Sequence, residues 1–121
     1  MNDARLVVVK IGSSTLVDGA GSLDGGFISS LSEQVATLIS QGVKVVIVSS
    51  GAVAAGREVL SISERPTDMA TLQACASAGQ ARLTQAYADI LATYGIPCAQ
   101  VLLTRRDVMD RDAFLNARTT L

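Results

Sequence analysis

The chain has 121 residues and 12.5 kDa, with 10 basic and 11 acidic side chains, a net charge of −1 and no histidine. That mass exposes roughly 6,000 Å² when folded against about 18,000 Å² unfolded, enough buried surface for one core and not two. A composition of 49% hydrophobic and 17% charged residues, with 3% aromatics and no Trp, excludes a disordered tail, a cationic nucleic-acid binder and a base-stacking platform.

Leu6 to Ile11 reads LVVVKI, a β-branched run apolar on both faces, as a strand buried in a parallel sheet is. It is far shorter than a membrane span and no signal-peptide cleavage pattern follows it, so a cytoplasmic location is expected. Gly12 to Gly26 holds five of the ten glycines and reads as loop. Phe27 to Ser40 places Ile28, Leu31, Val35, Leu38 and Ile39 at helical spacing, with Gly42 as the stop. Val43 to Val48 is a second buried strand. Ser49-Ser50-Gly51-Ala52 turns into a short helix over Val53 to Leu60, and Ser61 to Thr67, with Pro66, reads as a linker. Asp68 to Tyr94 is a long amphipathic helix, with Met69, Leu72, Ala76, Gly79, Leu83, Ala86, Ile90 and Tyr94 as its stripe. Gly79 inside it predicts a close approach or a kink, because glycine costs about 1 kcal/mol in a helix interior. Gly95 and Pro97 stop that helix. Cys98 to Leu103 reads as a third strand, Thr104 to Arg111 as a charged loop, and Asp112 as the N-cap of a helix reaching Leu121. Alternation of strands and helices predicts a parallel sheet with helices on both faces, the α/β class. The last helix has no stop signal, so the chain is expected to be cut inside a larger fold. Cys75 and Cys98 fit no metal or redox spacing and read as two small buried thiols.

Ligands of open α/β sheets collect at the carboxyl ends of the strands. At the first end, Lys10-Ile11-Gly12-Ser13-Ser14 combines an ammonium, a permissive glycine and two hydroxyls, the materials of a phosphate cradle. It lacks the Walker A order, and a strand-end lysine beside an ordinary turn has the same pattern. At the second, Ser50-Gly51-Ala52 opens a helix whose free amides suit a carboxylate or phosphate; an N-cap serine with a permissive glycine would read alike. At the third, Thr104 to Asp112 is either a solvated charged loop or a contact for a polar ligand or subunit neighbour. No metal-ligand set is evident, and with no imidazole any chemistry must use Lys, Arg, Ser, Asp and backbone amides.

KIGSSTL at Lys10 to Leu16, VIVSSGAVAAGREVL at Val46 to Leu60 and LLTRRDVMDRDAFLNARTTL at Leu102 to Leu121 resemble the amino-acid kinase family, and within it the glutamate 5-kinases. LQACASAGQARL and YGIPCAQ are similar to the same enzymes. The resemblance covers the chain but only the first part of a kinase domain. It implies a three-layer α/β/α fold with a mostly parallel sheet, present as an incomplete N-terminal half: residues 1–121 would be the substrate side, without the nucleotide-binding half. It further implies ATP-dependent phosphorylation, with Mg²⁺, of the γ-carboxylate of L-glutamate in the first step of proline biosynthesis. By position, Lys10 would contact the phosphate and stabilise charge in transfer, with Gly12 and Ser13 shaping the same ATP-phosphate loop. Ser50, Gly51 and Ala52 would hold the glutamate. Proline feedback inhibition is a family property, and the charged stretch around Asp107 is the expected place for it. The chemistry agrees with the missing histidine: a carboxylate nucleophile with a pKa of about 4.3 is already ionised at pH 7 and needs no general base. The chain alone is expected to be inactive and to cover its cut sheet by homo-oligomerisation. Two alternatives are a non-catalytic anion-binding or assembly module and a related kinase acting on another acceptor.

Overall fold

The structure, a computed structural model, describes residues 6–103 and 109–120. Two strands, β1 (Leu6–Ile11) and β2 (Lys44–Ser49), pair in parallel with Leu6 opposite Lys44, Lys10 opposite Val48 and Ile11 opposite Ser49. Five helices accompany them among the described residues: α1 (Ser13–Leu16), α2 (Gly25–Ser40), α3 (Ala52–Val59), α4 (Met69–Ala92) and α5 (Arg111–Thr120).

The pleat divides the sheet sharply. Val9, Val45 and Ile47 pack with buried Ile11 against Leu16, Ile28, Val35, Leu83, Tyr87 and Leu91, so α2 and α4 cover this face. On the other face Leu6, Val8 and Val48 stand 54%, 59% and 49% exposed, apolar side chains with no layer over them. The helices that cover the sheet among the described residues therefore lie on one face, where alternation predicted both.

Local chemistry sets the helix boundaries. The Asp24 carboxylate accepts from the Phe27 amide at 3.0 Å and starts α2; Asp68 does the same for Thr71 at 2.9 Å and starts α4. The Thr71 hydroxyl and amide hold the Asp68 carboxyl below its ordinary range. Both long helices end on a left-handed glycine. Gly42 (φ 80°) and Gly95 (φ 71°) let Val43 and Ile96 reach back to the carbonyls of Leu38 and Leu91, at 3.1 and 3.0 Å. The close approach expected at Gly79 is present, and it is reciprocal. A Cβ on Gly79 would lie 1.7 Å from the Ala52 carbonyl oxygen of α3, and one on Gly56 would lie 1.7 Å from the Cys75 carbonyl oxygen of α4. The two helices touch backbone to backbone, and α4 has no need to kink.

Several expectations are corrected. The buried line of α4 is Cys75, Gly79, Leu83, Tyr87 and Leu91, one residue in four; Met69 and Tyr94 are exposed. Contact with the glycine and alanine surface of α3 selects this face, and small residues score low on hydrophobic pattern. Gly12 to Gly26 is not all loop: it contains the helical turn α1 and an antiparallel bridge between Val17 and Leu23. Cys98 to Leu103 forms no strand. Those residues run beside β2 along an apolar groove of about 880 Å³ and take no ladder hydrogen bonds, for the sheet ends at β2. Cys98 is consequently exposed rather than buried, although partial desolvation raises its thiol above the ordinary range; Cys75 is buried, and both are free. Asp112 lies in the first turn of α5, which begins one residue before it. Of the charged stretch Thr104 to Arg111, residues 104–108, including Asp107, lie outside the described residues. No helix among the described residues is long and apolar enough to cross a membrane.

Ser32 is 1% exposed on the inner face of α2, and its hydroxyl has no hydrogen-bond partner among the described residues. An unsatisfied buried hydroxyl costs about 1–3 kcal/mol, and alanine is the better helix former. Ser32→Ala is therefore expected to stabilise the chain by about 1 kcal/mol, read as a higher urea midpoint at unchanged slope. A lower midpoint would mean that the hydroxyl finds a partner in solution.

Candidate functional site

The site forms where β1 and β2 end side by side. The Ser50 amide donates to the Ile11 carbonyl at 2.9 Å, joining the two loops one residue beyond the paired strands. After β1, Gly12 stays extended (φ −82°, ψ 160°), and its carbonyl accepts from Thr15 and Leu16 at 3.1 and 3.2 Å, which winds α1. That turn drives Leu16 into the core at 0% exposure and leaves Ser13 at the surface.

After β2, Gly51 takes a left-handed conformation (φ 105°) and caps α3, its carbonyl accepting from Ala55 at 2.9 Å. Only glycine fits, for a Cβ there would come 2.6 Å from Leu16 Cδ2. The first amides of α3 have no partner inside the helix and turn toward the strand ends.

A second layer holds this turn from the core side. The Ser49 hydroxyl donates to the Ser50 carbonyl at 2.9 Å and lies 3.1 Å from the Tyr87 hydroxyl. Ser49 has a single hydroxyl proton, so Tyr87 is the donor of that contact. Burial pushes the Tyr87 phenol above its ordinary range, against the opposing pull of Ser49. The neutral phenol is thus the form that folding favours. This contribution is complete below about pH 10 and is lost as the pH rises through the folded-state value.

Ser13, Ser50, Gly51, Ala52, Val53, Ala54 and Arg65 line one recess of about 280 Å³. It unites four of the six residues singled out in the sequence: Ser13 from the first loop and Ser50, Gly51 and Ala52 from the second. Gly12 shapes the loop from behind. Lys10 is exposed on the uncovered face of β1, opposite Val48, outside the lining of the recess. Arg65 is the lining residue that sequence reasoning missed, because it sits in a stretch read as linker. Among the described residues no three His, Cys, Asp or Glu side chains gather as a metal site.

The described elements form a two-layered α/β arrangement whose neighbouring strand ends bring Ser13, Ser50 and the start of α3 to one recess, which Arg65 also lines. The sequence matches the model of the amino acid kinase family over residues 5–121, and the chain belongs to that family. Among curated proteins it is similar to glutamate 5-kinase of Geobacter sp. (strain M21), 49% identical over 100% of this chain and 32% of the relative. Glutamate 5-kinase of Pelobacter propionicus is 50% identical over 97% of this chain and 31% of the relative. Glutamate 5-kinase of Escherichia coli O1:K1 / APEC is 46% identical over 100% of this chain and 33% of the relative. The chain spans about a third of the length of the curated relatives it matches.

Proposed function

We propose that this chain is the acceptor-side part of a kinase that transfers the terminal phosphoryl group of ATP to the γ-carboxylate of L-glutamate. The observation that carries this reading is the shared recess, in which Ser13 from the β1 loop meets Ser50, Gly51 and Ala52 from the β2 loop. In this reading Ser50 and the free amides at the start of α3 hold the amino acid. Ser13 and the Gly12 turn border the transferring group. Lys10 is the phosphate-contacting cation and the catalytic residue. Lys10 is opposite Val48, two residues before Ser50, so both lie at the same end of the sheet.

The reaction suits these residues. The attacking carboxylate is ionised at neutral pH and requires no base. Phosphoryl transfer asks for alignment of two anions and for neutralisation of the charge between them, which an ammonium, hydroxyls and oriented amides supply. In this reading Lys10, Gly12 and Ser13 meet the ATP phosphates, and the rest of the nucleotide, with its Mg²⁺, is held by further residues of the kinase. By itself the chain is inactive. The exposed face of Leu6, Val8 and Val48 is covered by those further residues, or by a second copy when they are missing. Product formation would feed proline synthesis, with proline as feedback inhibitor.

The test joins this chain to the remaining part of the Geobacter relative. The completed kinase is expected to form ADP only when ATP and L-glutamate are both present, with an acyl phosphate trapped as the hydroxamate; the 121-residue chain alone is expected to form none. Preference for aspartate would overturn the acceptor assignment, and turnover by the chain alone would overturn the division of labour.

A further inference from the structure

Arg65 lies in a short segment that composition marks as a linker, yet the fold brings it into the recess with Ser13 and Ser50. The segment is held in place by the end of α3. The Ile62 amide donates to the Arg57 carbonyl at 2.8 Å, and Ser61 adopts the left-handed region at φ 56° to make the turn. The Arg57 guanidinium then donates to the carbonyls of Ile62, at 3.4 Å, and Ser63. Arg57 is thus occupied by backbone and Arg82 by Glu58 at 3.6 Å, whereas among the described residues no carboxylate pairs with Arg65. Arg65 thus lines the recess with no ion pair to offset its charge among the described residues.

We infer that Arg65 binds the α-carboxylate of the amino-acid acceptor and so selects acids that carry one. The inference rests on the acceptor reading above and extends it to a residue outside the two loops. A planar guanidinium matches a carboxylate with two parallel hydrogen bonds. If the γ-carboxylate faces the incoming phosphoryl group at the strand ends, the α-carboxylate is the anion left for a cation on the recess wall.

Titration of the ¹⁵N-labelled chain by NMR tests this, with L-glutamate, 4-aminobutyrate and inorganic phosphate as separate probes. 4-Aminobutyrate keeps the carboxylate that would be phosphorylated and lacks the α-carboxylate. Arg65→Ala is expected to weaken L-glutamate binding about tenfold or more while 4-aminobutyrate changes by less than about twofold, and Arg65→Lys is expected to fall between. Arg65 is exposed, so the amide spectra of the variants should show an unchanged fold. Equal L-glutamate affinity in wild type and Arg65→Ala overturns the inference, and so does a loss that appears with inorganic phosphate instead. If the wild-type chain fails to bind L-glutamate while the completed kinase consumes it, the inference falls and the acceptor reading stands. If neither protein responds to L-glutamate, both fall.

Discussion

Gly79→Ala is expected to unfold the chain. The added methyl would sit 1.7 Å from the Ala52 carbonyl oxygen and 2.4 Å from the Gly56 amide nitrogen, both backbone atoms of α3 that no rotamer change can move aside. The helices must separate by more than an ångström, and Gly56 against Cys75 blocks any compensating slide, for its own Cβ position lies 1.7 Å from the Cys75 carbonyl oxygen. Overpacking that is relieved by side chains costs about 1–3 kcal/mol. Backbone overlap on this scale exceeds that, and a small domain has only about 5–15 kcal/mol to lose, less when one face of its sheet is bare. The intrinsic helix preference for alanine, about 1 kcal/mol in the opposite direction, does not offset it. Circular dichroism should show no cooperative melt above room temperature for Gly79→Ala. Gly19→Ala, with nothing within 4 Å of the added Cβ, should melt like wild type. A wild-type melt for Gly79→Ala would mean that α3 and α4 do not pack through their glycines.

That contact also shows how far the sequence could be read. The two strands were legible because LVVVKI and VKVVIV are rich in β-branched residues, the second strand being one residue displaced at Lys44–Ser49, and the helix ends because Gly42 and Gly95 follow the last periodic residues. Gly79 announced a close approach by its cost in a helix interior. The identity of the neighbour, and hence the face of α4 that turns inward, was not legible. Cys75 and Gly79 carry little hydrophobic weight, and their burial is decided by what α3 presents, namely Gly56 and the backbone of Ala52. Cys98 to Leu103 failed for a related reason. VLL has strand propensity, but a strand exists only where a neighbour supplies a ladder, and propensity is subordinate to that context.

The site was legible to the same depth. Loops at neighbouring parallel strand ends must lie together, and the Ser50 amide on the Ile11 carbonyl is the bond that joins them. Arg65 was hidden because its position depends on a turn clamped by Arg57, a tertiary device with no local signature.

Lys10 offers the largest expected effect on activity with the smallest on folding. It is exposed at the end of β1, and no buried partner depends on it among the described residues. Lys10→Ala should therefore leave the urea midpoint of the chain within about 0.5 kcal/mol of wild type. In the kinase completed with the remaining part of the Geobacter relative, the same change should lower kcat about 10²–10³-fold, the usual consequence of deleting one group that stabilises charge developing in a transition state. The KM for L-glutamate should move far less, because the recess that holds the acceptor is lined by other residues. Lys10→Arg keeps the charge but replaces a compact ammonium with a planar fork, so it should restore part of the turnover and not all of it. Measured together, kcat, KM and the urea midpoint separate the two roles open to a strand-end lysine. A fall in kcat at constant stability places the ammonium beside the transferring phosphoryl group. Unchanged turnover would reduce Lys10 to a side chain whose alkyl stem shields Val8 and Val48 while its charge stays in water.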